Sequence, residues 1–328
     1  MVRRVTRWMA RNEWSWAASG SVVLWIVACL LSHRLSVELL LVNCTLASFL
    51  VLVALGQMVV ITSGDGSFDL SLPYIVTLSA FVSELVMSGS GRELIPGIVA
   101  GLAAACGVGI VNAILIAFLK MPPVIATLAT GYIAYSAILQ MYGETISLPS
   151  PELRTFALSQ FDGASPVAGL AIIFGILLLA VLVKTRFGFY LEAMGQGRRA
   201  AQLVGVRITR MVFVNFFLSA LAGGLTGVLL VGFDGGAFAD MGNPYLLGSI
   251  GAVVIGGTLI GGGRWSVAGT MAGSLFLTLL VTVMELSKLS IGYEDMSEGL
   301  VIIGFIIVAS IVKTRGVNIK PHDDKRVL

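Results

Sequence analysis

The sequence predicts an all-α, polytopic membrane protein of about ten transmembrane helices with broken or re-entrant segments. Three observations predict it. Apolar residues make up 57% of the chain and charged ones only 12%, far from the balance of a water-soluble domain. Apolar runs near the length needed to cross the hydrocarbon core recur from one end of the chain to the other. With ten crossings counted, seventeen of the 21 Lys and Arg residues fall on one side, the bias that sets orientation in a bilayer.

The first run, residues 17–31, follows Arg3, Arg4, Arg7 and Arg11. A basic stretch before a short apolar run also fits a secretory signal. Because many runs follow, we read it as a first transmembrane helix with a cytoplasmic N-terminus. Further spans are expected at 39–62, 72–88, 94–119, 124–142, 167–183, 211–232, 244–262, 266–285 and 299–312. Only Arg34, Arg92, Arg154 and Lys288 then lie outside. The connection 184–210 carries six basic residues and one acid. Charge this dense cannot sit in hydrocarbon, and its sign puts it in the cytoplasm. The external segments 143–166 and 285–298 are net acidic, and 313–328 forms a basic cytoplasmic tail. No linker or soluble domain interrupts the pattern, so residues 1–328 are expected to form a single transmembrane domain.

Several function classes fall away. The basic residues sit at span ends rather than on one face, which does not fit nucleic-acid binding. Cys29, Cys44 and Cys106 lie in separate apolar runs and His33 and His322 are isolated, so neither a disulfide framework nor a metal site is expected. No Lys follows a Gly anywhere in the chain, so a P-loop is absent and ATP-driven work would need a partner subunit. No cofactor is expected.

Two Gly-rich interruptions stand out. Residues 63–73, SGDGSFDLSLP, are too polar to continue a helix through lipid, and irregular backbone at that depth must be covered by protein or line a cavity. A gate and an ordinary cytoplasmic turn remain open for it, with Asp69 or Ser71 placed to cap the next helix. The second, 256–264, begins with Gly256 and Gly257; together the two make an internal pseudo-repeat a candidate. Gly97 with Gly101, Gly223 with Gly227, and Gly269 with Gly273 are four apart and fit close helix packing. Gln57, Asn112, Thr127, Thr130, Asn215 and Asn243 are polar groups in or beside spans, where they should bond neighbouring helices or face a path. Glu84 is the one clear ionisable group within a span, and this scarcity argues against ion coupling. In the central connection, residues 192–206 read as a short helical piece broken at Gly195 and Gly197, with Ala193, Ala200 and Ala201 forming a small-residue face for a partner.

These residues also resemble a known family. The run Gly66-Ser67-Phe68-Asp69-Leu70-Ser71-Leu72-Pro73 is similar to the Gly-Gly-Ile-Asp-Leu-Ser-x-Gly segment of ribose-type sugar permeases of ATP-binding-cassette (ABC) importers. NAILIAFLKMPPVIATLAT (112–130), AMGQGRRAAQLVGV (193–206), SALAGGLTGVLL (219–230) and IGAVVIGGTLIGGGRWSVAGTMAGSLFLTLL (250–280) extend the likeness in the same order. The resemblance implies a multi-pass permease of the bacterial inner membrane for a monosaccharide or related polyhydroxylated solute. Its partners would be ABC ATPase subunits, a second permease subunit, identical or homologous, and a periplasmic sugar-binding protein, with membrane lipid around it.

The central connection would be the ATPase-coupling element, carried by Glu192, Ala193, Gly195, Arg198, Arg199, Ala200, Ala201 and Gly205. Asp69, Ser71, Asn112, Thr127, Thr130, Gly256 and Gly257 are the candidates for the gate or translocation path. The sequence departs from the family pattern at Ser67 and Pro73, where Gly is usual, and at Arg198 and Arg199, near which an acid is usual. The alternative is a gradient-driven secondary transporter of a small polar solute, which would depend on Glu84.

Overall fold

The computed structural model describes residues 14–32, 36–142, 148–161 and 163–288, together with scattered positions between 292 and 307. Its helices, in chain order, are α1 (Trp14–Leu31), α2 (Val37–Thr62), α3 (Leu72–Met87), α4 (Leu94–Ala117), α5 (Pro123–Tyr142), α6 (Pro151–Leu158), α7 (Pro166–Lys184), α8 (Arg186–Gln196), α9 (Arg198–Leu203), α10 (Ile208–Asp234), α11 (Pro244–Ile255) and α12 (Val267–Leu286). Apart from an isolated bridge between Phe161 and Ala164, the described residues contain no β-structure. Hydroxyl side chains start many of the helices. Ser36, Ser150, Ser165, Thr185 and Ser266 each accept a bond from a first-turn N–H, the ordinary way to satisfy orphan donors.

Seven of these helices, α1, α2, α4, α5, α7, α10 and α12, are long and apolar enough to cross a membrane. The expected ten is therefore met only in part. At 16 and 12 residues, α3 and α11 are about 24 and 18 Å long at 1.5 Å per residue, short of the ~30 Å hydrocarbon core. The run expected to continue to residue 262 stops at Ile255, because the backbone then turns through Gly257, Gly262 and Gly263, all with φ above +80°, a conformation that only Gly adopts without strain. The last expected span, 299–312, lies largely outside the described residues.

Helices α2 and α10 form the centre. Every residue of 47–64 is buried, so α2 has no lipid or solvent face from Ala47 onward, as a stretch apolar all round should not, while Val37, Val42 and Leu46 in its first part are exposed. Around this axis α10 packs on α2, α3 and α4; α12 packs on α1, α2 and α11; α5 covers α3; and α7 lies on α2. All three small-residue pairs sit at helix crossings. A Cβ on Gly97 or Gly101 of α4 would meet carbonyl oxygens of Ser83 or Ser79 on α3 at 2.9 and 2.8 Å. Gly227 of α10 lies against Val76 of α3, and Gly269 and Gly273 of α12 lie against Gly256 and Ala252. Close backbone approach of this kind replaces the hydrophobic drive that lipid does not provide.

Candidate coupling junction and buried polar network

Two assemblies bring together stretches far apart in the chain. The first is made of glycines. Gly195, in the last turn of α8, packs against the carbonyl oxygen of Thr62 at the end of α2 and against the backbone of Gly263. A Cβ on Gly64 would fall 2.8 Å from the carbonyl oxygen of Gly195, and Gly262 abuts Gly64. The N–H of Gly263 donates to the carbonyl of Thr62 at 2.9 Å. Both Gly-rich interruptions and the central connection thus meet at one point, backbone on backbone. An ion pair reinforces it: Arg198, at the start of α9, lies 2.8 Å from the carboxylate of Asp65 and donates to Ser67 Oγ at 3.4 Å. Ser67 and Arg198, two of the departures from the family pattern, therefore face each other.

The central connection is a pair of helices rather than one broken piece. The break falls at Gly197 alone, where the chain is extended (φ 166°, ψ 113°), and α8 runs through Gly195. That break changes the helical phase, so the alanines do not share a face. Ala201 is buried, Ala193 and Glu192 are half-buried, and Arg199, Ala200 and Gly205 are exposed. Gly205 (φ +86°) has no atom within 4 Å of a built Cβ, so it and Gly195 play different parts. Leu203 and Val204 are the side chains that sequence reasoning missed. They are 89% and 71% exposed, and two apolar residues inside a basic, watery segment were a legible signal for a partner surface.

The second assembly is polar. Asp69 sits in the connection between α2 and α3, fully buried. Its Oδ1 accepts from the N–H of Ser71 at 3.1 Å and from the Ser71 hydroxyl, and its Oδ2 accepts from Ser219 Oγ of α10 at 2.7 Å. The Asp69 N–H donates to Gln57 Oε1 of α2 at 3.2 Å. Asn112 of α4 donates to Ser71 Oγ at 2.8 Å and accepts from Thr130 of α5. Thr127 of α5 accepts from the Leu70 N–H at 3.1 Å.

Five of the seven gate candidates, Asp69, Ser71, Asn112, Thr127 and Thr130, thus lie in one network tying the start of α3 to α2, α4, α5 and α10. It also recruits Ser219, which sequence reasoning passed over because a serine in a small-residue run looks like packing. Ser71 stands at the N-cap position of α3 but makes no capping bond; its hydroxyl is committed to Asp69 and Asn112. Gly256 and Gly257 lie elsewhere, at the seam between α11 and α12. Of the other polar candidates, Asn243 turns to Asp240 at 3.0 Å, and the Asn215 amide is buried with no partner among the described residues. Glu84 accepts from the Ala237 N–H at 2.7 Å. No group of three metal-ligating side chains occurs among the described residues.

Residues 39–310 match the family described as the permease component of branched-chain amino acid transport systems. The chain belongs to this family of transport permeases. The permease is 33% identical over 260 residues to the ribose import permease protein of Bacillus subtilis (strain 168), covering 77% of this chain and 78% of that one. It is 27% identical over 303 residues to the autoinducer 2 import system permease protein of Escherichia coli (strain K12 / DH10B), covering 92% and 88%. The resemblance to sugar importer permeases drawn from short runs therefore holds across most of the permease.

Proposed function

We propose that the chain is the transmembrane permease subunit of an ABC importer for a monosaccharide or related polyhydroxylated solute. The observation that carries this reading is the identity to a ribose import permease over more than three-quarters of both chains. Lacking a P-loop, the subunit draws its energy from separate ATPase subunits, pairs with a second permease, and receives solute from a periplasmic binding protein. The charge bias supports ten crossings of a bacterial inner membrane with both termini in the cytoplasm.

Leu203, Val204, Arg199, Ala200 and Gly205 present the surface for the ATPase. Movement of α8 and α9 on ATP binding passes through Gly195 to the end of α2 and to the connection between α11 and α12. Through Arg198 and Asp65 the same movement reaches the segment that ends at Asp69. The network of Asp69, Ser71, Asn112, Thr127 and Thr130 is the gate. Opening it separates α3 from α5 and α10, while Gly256 and Gly257 let α11 shift against α12.

The test is uptake of radiolabelled ribose, with a panel of other monosaccharides and polyols, by cells lacking the gene and by cells with it restored. Uptake of at least one compound should return with the gene and survive discharge of the proton gradient while ATP is maintained. Uptake that collapses with the gradient, and is abolished by Glu84→Gln, would replace this reading with the gradient-driven one.

A further inference from the structure

Helices α7 and α10 both rest on α2, and α8 touches both. The space they leave is a cavity of about 630 Å³, within the range of about 300–1,000 Å³ typical of small-molecule sites. Its lining is divided. Arg186 of α8 and Arg207 and Arg210 at the start of α10 stand at one end. All three are exposed, and none forms an ion pair among the described residues. From there Met211, Val214 and Leu218 rise along the same face of α10, opposite Val181 of α7, because positions three, four and seven apart share a helix face. Phe187 and Tyr190 of α8 complete the lining together with Gly205, which borders the exposed Leu203 and Val204.

We propose that this cavity holds an anionic phospholipid of the cytoplasmic leaflet, its phosphate among the three arginines and an acyl chain along the apolar wall of α10. Charge complementarity selects the occupant. Uncompensated guanidinium groups at the end of a membrane helix face a leaflet whose anionic headgroups accept bidentate bonds from Arg. The apolar wall beyond them has no use for a free anion but suits hydrocarbon. The inference rests on the cytoplasmic placement of residues 184–210. The bound lipid would brace α8 against the end of α7 and the start of α10, and so stiffen the element that carries Gly195.

The test is native mass spectrometry of the purified full chain titrated with phosphatidylglycerol, with phosphatidylcholine in parallel and inorganic phosphate as competitor. Phosphatidylglycerol should bind in preference to phosphatidylcholine. Combined Arg186→Gln, Arg207→Gln and Arg210→Gln should weaken it on the order of 100-fold, at about tenfold or less per charge lost, with combined Lys replacements retaining part. Val214→Trp, which fills the cavity and leaves the charges, should lose the lipid as well; this variant and Arg210→Gln alone carry the test if the combined variant fails to elute as a single species.

Equal binding of the two lipids, or unchanged phosphatidylglycerol in both Arg210→Gln and Val214→Trp, would overturn the proposal. So would displacement by inorganic phosphate, which would mark a free-anion site, or loss of lipid whenever an ATPase subunit is bound, which would mark a protein contact. Leu203→Cys in a background without other cysteines reads the orientation separately. Labelling by an impermeant maleimide in inverted vesicles alone supports the cytoplasmic placement, and labelling in intact cells removes it whatever lipid binds.

Discussion

Valine at position 195 should lower the stability of the permease clearly, and valine at position 205 should lower it less. Gly195 is hemmed in by the Thr62 carbonyl and the Gly263 backbone, and backbone cannot swing aside as a long side chain can. Overpacking there should cost about 3 kcal/mol or more, which for a chain of this size lowers the melting midpoint by about 4 °C or more. Gly205 is exposed with open space around it, so its substitution carries only left-handed strain, about 1–2 kcal/mol. Thermal unfolding of the two detergent-purified variants, followed by size-exclusion elution, separates them. A Gly195→Val protein that melts with the wild type would mean that the glycine junction does not exist as described.

Alanine at position 69 should have a comparable effect for a different reason. It strands the hydroxyls of Ser71 and Ser219, both fully buried, and removes the link between the start of α3 and α10. Bonds to a buried carboxylate and the desolvated groups left behind together amount to about 3 kcal/mol. Asp69→Asn should cost only about 1 kcal/mol, since the amide oxygen still accepts from Ser71 and the Ser219 hydroxyl can rotate to accept from the amide nitrogen. The same melting assay reads both. Equal loss in the two variants would show that the negative charge, rather than the network, holds this point together.

Much of the architecture was written in the hydrophobic pattern. The run 39–62 became α2 almost unchanged, and 211–232 lies inside α10, because a long apolar run between polar ends permits few alternatives in a bilayer. The run 244–262 was misjudged. Val, Ile, Leu and Gly all read as apolar, and hydropathy cannot see that Gly257, Gly262 and Gly263 take positive φ.

The site was legible in pieces. Asp69, Ser71, Asn112, Thr127 and Thr130 each stood out as polar groups in costly surroundings, yet only packing could bring positions 69, 112, 130 and 219 together. Gly64, Gly195 and Gly263 belong to three stretches noted separately, and their meeting is a tertiary fact with no local signature. Ala201 misled because Ala193 and Ala200 share a face only in an uninterrupted helix, and the turn at Gly197 cancels that phase. Leu203 and Val204 were within reach, since exposed apolar side chains in a basic, polar segment need a reason to be there.

The central claim is that residues 192–206 engage an ATPase through exposed side chains while Gly195 passes the movement inward. Affinity isolation of the tagged permease from its native membrane in mild detergent, with mass spectrometry of the accompanying proteins, tests it most directly. Wild-type permease should bring down an ABC ATPase subunit, and Arg199→Glu with Leu203→Asp should lose it while retaining normal membrane levels and melting behaviour. An ATPase recovered equally with that double variant, or none recovered with the wild type under crosslinking, would contradict the account.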